Sequence, residues 1–125
     1  SLVLVACFGM IAVGLGAFGA HSLKSLIPTD QINIYQTGVT YQFYHTLAMF
    51  GIYLIYLQQP SQSLQYAFLG MLIGICLFSG SLYLLSCRSL LGIEGWKFLG
   101  PITPIGGLSF IVGWFFLLWH SIKQM

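Results

Sequence analysis

Charge is what this chain has least of: its 125 residues include four Lys and Arg and two Asp and Glu, 5% of the total. Soluble domains carry about 25% charged residues, and six such groups cannot cover the surface of a water-soluble fold of this length. With 58% of residues hydrophobic and a mean hydropathy of +0.90, the bilayer is the solvent that suits the chain. The basic residues are scattered and the net charge is only +2, which leaves no electrostatic footprint for nucleic acid. Cys7, Cys76 and Cys87 stand far apart without CxxC spacing, so no redox or disulfide role is expected. Within apolar runs, Cys7 and Cys76 behave as small hydrophobes.

What the chain does have is apolar sequence in runs of about 20 residues, the length of a membrane span. Four runs are read, at about 2–20, 40–57, 64–86 and 104–120. The first has no basic leader and repeats Gly and Ala in helical register, so it is expected to be a retained helix rather than a signal peptide. Residues 22–36 and 88–100 are read as interfacial segments. Pro28 and Asp30, the latter as a helix cap, predict a break, followed by a helix that starts in the interface and runs on into the second span. Thr103 and Pro104 predict the start of the fourth span, with Thr as N-cap and Pro at the first helical position. All six charged residues fall outside the four runs. The expected fold is therefore all-α: an integral-membrane, antiparallel four-helix bundle forming one transmembrane domain over residues 1–125.

Helices in lipid associate through close backbone approach and buried polar contacts. Gly9, Ala12, Gly16 and Ala20 make a small-residue seam on the first span; Gly70, Gly74 and Ser81 make one on the third, and Gly106, Ser109 and Gly113 one on the fourth. Tyr53, Tyr56, Tyr66, Trp114 and Trp119 are read as lipid-facing or interfacial rings without a chemical role.

The stretch "TGVTYQFYHTLAMF" places Tyr41, Gln42, Tyr44 and His45 at the start of an apolar run. On a helix, Tyr41, Tyr44, His45 and Ala48 share a face, and Gln42 lies within reach of His45. Because spans alternate in direction, "GAFGAH", "YQFYH", "FSGSLY" and "GPITPIGG" converge at one membrane face, and the far half of the bundle is expected to be almost wholly apolar. The candidate site is thus His21, Tyr41, Gln42, His45, Ser79, Ser81, Tyr83, Thr103, Gly106 and Gly107. The amino terminus of the fourth span and its two glycines suggest a shallow pocket for a carbonyl, a carboxylate or a lipid phosphate.

Three readings of this end stand side by side. The residues are interhelical fasteners, with His45 tied to Tyr41, Ser79 or Ser81; or they bind a ligand, a lipid headgroup or another membrane subunit; or His45 handles protons in a small transporter. No carboxylate lies within a span to orient an imidazole, so no enzymatic activity is expected, and neither a metal nor a cofactor. A conducting pore is not expected either, since the far half offers no polar path. Lys24, Arg88 and Lys97 lie on one face and Lys123 on the other, so the positive-inside rule alone puts the first and third loops in the cytoplasm.

"GAFGAH", "TGVTYQFYHTLA", "FSGSLY" and "TPIGGLSFIVGW" together resemble a family of small four-span membrane proteins, domain of unknown function 423, related to the eukaryotic transmembrane protein 256. The similarity runs in order from about Gly9 to Trp114. It implies a multi-pass protein of the bacterial inner membrane and no established activity. Carried over by position, the family's motif histidines correspond to His21 and His45, and its Pro and Gly-Gly element to Pro104, Gly106 and Gly107. Relatives often have a further histidine where this chain has Gln42, so the resemblance supports no metal site here. Their more basic carboxyl tails imply that both termini are cytoplasmic, the opposite of the charge count.

Overall fold

The computed structural model describes residues 1–125 and contains helices and turns but no strand. Four long helices dominate: α1 (Leu2–His21), α2 (Thr29–Gln58), α3 (Gln62–Ser86) and, after the single turn α4 (Arg88–Leu91), α5 (Leu99–Lys123). Helices α1, α3 and α5 are each long and apolar enough to cross a membrane. The 30-residue α2, which has the more polar sequence, packs between α1 and α3.

Residue pairings make every neighbouring pair antiparallel. Gln42 meets Phe8 while Tyr35 meets Leu15, Gly38 meets Ser79 while Tyr56 meets Gln65, and Gly70 meets Ser109 and Gly113 while Ser81 meets Thr103. Close backbone packing runs α1–α2–α3–α5, with α1 and α5 at the ends of that order, and α5 also reaches α2 through Phe110 and Trp114 against His45. Only 17% of the most apolar stretch of either end helix is buried, and Met10, Val13, Leu108, Ile111 and Leu118 face outward. In water such a surface would be untenable; in lipid it has no cost. The chain is an all-α membrane helical bundle.

The small-residue seams lie where helices touch. A methyl group placed on Gly70 would sit 2.8 Å from Gly113 Cα, and one on Gly106 would sit 2.7 Å from Phe78 Cα. On α1, Ala12 is fully buried, but Ala20 points outward and Gly19 takes its place beneath the Tyr35 ring. A one-residue shift of the stripe near the helix end accounts for this.

Two helix boundaries differ from expectation. The break at Pro28 is present, with Pro28 as N-cap and Asp30 already in the first turn of α2. Helix α5 begins at Leu99 rather than at Pro104, which therefore lies inside it. Pro101, which suits a first turn, supports that earlier start. Pro104 then costs the backbone one bond, to the Gly100 carbonyl, while the Thr103 hydroxyl bonds the Leu99 carbonyl at 3.4 Å. Opposite this break, α3 widens into a π-helical stretch over Ile75–Ser79. The segment 88–100 turns sharply at Gly92, whose φ of 71° suits a residue without Cβ, and it exposes a stacked Trp96–Phe98 pair.

Candidate functional site

Most of the polar residues singled out in the sequence gather at one end, and most of them are consumed there in holding helices together. Gln42, 2% exposed, donates from Nε2 to the Phe8 carbonyl at 2.9 Å and accepts at Oε1 from the Tyr83 hydroxyl at 2.5 Å. One side chain thereby ties α1, α2 and α3. Ser79 donates to the Gly38 carbonyl at 2.7 Å, and Ser81 pairs with Thr103 at 2.6 Å, joining α3 to α2 and to α5 respectively. Glycine at 38 lets Tyr83 lie against the α2 backbone: a methyl group there would be 2.9 Å from its ring. His21 stands apart, exposed and without a hydrogen bond at the end of α1.

His45 is buried and uses both ring nitrogens. Nδ1 donates to the Tyr41 carbonyl at 2.8 Å, and Nε2 accepts from the Trp114 indole N–H at 3.1 Å. Its ring lies flat on Phe110, with centroids 3.6 Å apart. These bonds fix the neutral tautomer with the proton on Nδ1. The expected partners Ser79 and Ser81 are engaged elsewhere, and Gln42 turns away toward Phe8 and Tyr83. Trp114, read from sequence as a lipid-facing or interfacial ring without a role, is partly exposed, yet its N–H is the donor that holds the imidazole.

Beside His45 runs an open groove of about 540 Å³ between α2 and α5, lined by Tyr41, His45, Phe78, Pro104, Gly107, Leu108, Phe110, Ile111 and Trp114. Gly106 is not part of it; that residue serves the close approach of α5 to the π stretch of α3. Gly107 does line it, and a Cβ there would meet only the Phe78 ring, at 3.7 Å. Tyr41 contributes its ring to the wall, 4.8 Å from that of Phe78, while its hydroxyl makes no hydrogen bond within the chain. Gly107, Phe110 and Trp114 recur at i, i+3 and i+7, the spacing of a single helix face. That was the available signal for the α5 wall.

The opposite end, expected to be almost wholly apolar, carries one polar cluster at its rim. His120, 4% exposed, accepts at Nδ1 from the Ser61 hydroxyl at 2.9 Å and donates from Nε2 to Gln59 Oε1 at 3.2 Å. Ser61 also caps α3, accepting from the Leu64 N–H. The sequence signal was there: "QQPS" and His120 fall on one membrane face by the same alternation of spans.

A helical bundle pinned by buried polar bonds, with three helices long and apolar enough to cross a membrane, defines a multi-pass membrane protein. Its sequence matches, over residues 15–107, the family described as Protein of unknown function (DUF423). The chain belongs to that family, as the sequence motifs implied. It is 39% identical over 125 residues to the UPF0382 membrane protein YwdK of Bacillus subtilis, covering 99% of this chain and 97% of that one. The UPF0382 membrane protein SAB0533 of Staphylococcus aureus is 41% identical over 124 residues, 98% of this chain and 94% of the relative. The UPF0382 inner membrane protein YgdD of Escherichia coli K12 is 38% identical over 122 residues, 98% and 88% respectively. No solved structure matches. Near full-length similarity to an inner membrane protein agrees with helices built for that medium; this is a multi-pass protein of the bacterial inner (plasma) membrane.

Proposed function

We propose that this is a non-enzymatic accessory protein with four spans, α2 being the fourth, that docks a lipid-borne ligand in the groove between α2 and α5. One observation carries the reading. At a polar end where Gln42, His45, Ser79, Ser81, Tyr83 and Thr103 are all bonded internally, the groove is lined by Tyr41, 39% exposed and without an internal partner for its hydroxyl, and by Gly107, where a Cβ would meet only the Phe78 ring. The internal residues act as fasteners that hold the groove in shape. His45 belongs to its floor as a positioned ring, and its two engaged nitrogens favour that role over proton carriage.

Native mass spectrometry of protein gently extracted from its own membrane tests the proposal. Gly107→Leu adds bulk on the groove wall, where a Cβ meets only the Phe78 ring, and Gly14→Leu adds the same bulk where a Cβ meets nothing within 4 Å. A stoichiometric adduct on wild type and Gly14→Leu that is lost from Gly107→Leu is the expected result. Bare spectra throughout, or the same adducts on all three proteins, would sink the groove as a binding site.

A further inference from the structure

We infer that the groove takes an uncharged lipid whose head is a flat, carbonyl-bearing ring, the chemistry of an isoprenoid quinone. The inference rests on the groove reading above and narrows it to a class of ligand.

Charge comes first. None of the nine lining residues is charged, and no Lys or Arg occurs on α2, or on α5 before Lys123. A phosphate or quaternary ammonium brought into the groove would find no counter-charge in a medium where unpaired charge is heavily penalised. Phospholipid headgroups are therefore poor candidates for the groove itself, and a neutral lipid is favoured.

The walls then select shape. Five of the nine lining residues are rings, Tyr41, His45, Phe78, Phe110 and Trp114. Phe78 stands 4.8 Å from Tyr41 and 5.6 Å from Phe110, and His45 stacks flat on Phe110. Those contacts are made among the rings themselves, and the aromatic surface they leave toward the groove can take a further ring in offset or edge-on contact. An acyl chain gains nothing specific from them, whereas a planar head does. Gly107 adds a wall without a side chain, against which a flat ring can lie.

The free polar group selects chemistry. The Trp114 N–H and the His45 Nδ1–H are spent inside the protein, which leaves the Tyr41 hydroxyl as the side-chain donor without a partner. It calls for an acceptor on the ligand, and a ring carbonyl supplies one. From Pro104 to Trp114 the groove follows α5 for about 15 Å at 1.5 Å per residue. Exposed Leu108 and Ile111 flank it toward the lipid, so an isoprenoid tail can leave sideways into the bilayer. The inference concerns binding only and assigns no redox step.

The test uses the full chain in phosphatidylcholine nanodiscs, with Trp96 and Trp119 replaced by Phe so that Trp114 alone reports. Decylubiquinone and menaquinone-4 are titrated, and quenching of Trp114 is followed. The expected result is saturable quenching by at least one of the two. Tyr41→Phe, which removes no internal hydrogen bond and so leaves the fold intact, should weaken it about five- to tenfold, the loss of one hydrogen bond. Gly107→Leu should abolish saturation. Linear quenching, equal in all variants, would mean partition into lipid alone and would overturn the inference. If native spectra then showed a phospholipid or acylglycerol adduct lost in Gly107→Leu, the groove reading would stand and the ring assignment would fall. Neither adduct nor saturable quenching would defeat both.

Discussion

Two Gly→Ala substitutions, chemically identical, should part company in this bundle. At Gly70 the new methyl group would lie 2.8 Å from Gly113 Cα, 2.9 Å from its nitrogen and 3.1 Å from the Ser109 carbonyl oxygen, all backbone atoms that cannot rotate away. Comfortable carbon–carbon separation is about 3.5–4.0 Å, so α3 and α5 must move apart by about 1 Å. That shift stretches the Ser109 hydroxyl bond to the Gly70 carbonyl from 2.9 Å beyond useful length. Overpacking costs about 1–3 kcal/mol and an interhelical bond in lipid about 0.6–2 kcal/mol. Against these, Ala is the better helix former by up to about 1 kcal/mol. The net expectation for Gly70→Ala is a destabilisation of about 1–4 kcal/mol. At Gly14 nothing lies within 4 Å, so Gly14→Ala should be neutral or slightly stabilising. Reversible unfolding in dodecylmaltoside–SDS mixed micelles, followed by far-ultraviolet circular dichroism, compares the pair. Equal stability of the two variants would refute the α3–α5 seam as the tightest part of the fold.

Three further outcomes follow from the hydrogen bonds. Gln42→Leu should destabilise by about 1–3 kcal/mol by leaving the Tyr83 hydroxyl unpaired; adding Tyr83→Phe should recover part of that loss, and strict additivity in the double-mutant cycle would argue against the bond. Thr46 is buried with its hydroxyl unpartnered, so Thr46→Val should leave the mixed-micelle transition unchanged or raise stability by up to about 1 kcal/mol. A clear loss would reveal a partner for that hydroxyl. His120→Phe removes both bonds that tie α5 to the α2–α3 turn, and hydrogen exchange over residues 59–64 should quicken while residues 38–46 keep their protection. Uniform quickening along the chain would mean that the latch holds the whole bundle rather than one turn.

The helices were legible because lipid leaves little room for choice: a run without charge must satisfy its own backbone, and only a helix can do so. Alternation of spans likewise brought Gln42, Ser79, Ser81, Tyr83 and Thr103 to one end. Partner choice within that end was not legible. Which carbonyl Ser79 reaches depends on the local rotation imposed by the π stretch at 75–79, and no residue type announces such a stretch. Pro104 illustrates the same limit. The sequence rule for Pro at a helix start was sound, but Pro101 also satisfies it, and the earlier of the two prevails. Trp114 was missed because a Trp near lipid has a general reason to be there, which hid the specific one, a bond to His45.

Internal satisfaction separates fastener from site more sharply than residue type does. In the sequence His45 is the most conspicuous polar group of the membrane-embedded part, and Tyr41 one neighbour among several. In the fold His45 has a partner at each nitrogen, and replacing it should appear first in stability. Tyr41 gives its ring to the groove and its hydroxyl to nothing in the chain, so Tyr41→Phe should leave unfolding where it was and change only what binds. The two substitutions therefore read different properties of the same helix turn. A Tyr41→Phe protein that is destabilised as much as His45→Ala would mean that the hydroxyl has a structural partner after all, and the case for a ligand there would lose its main support.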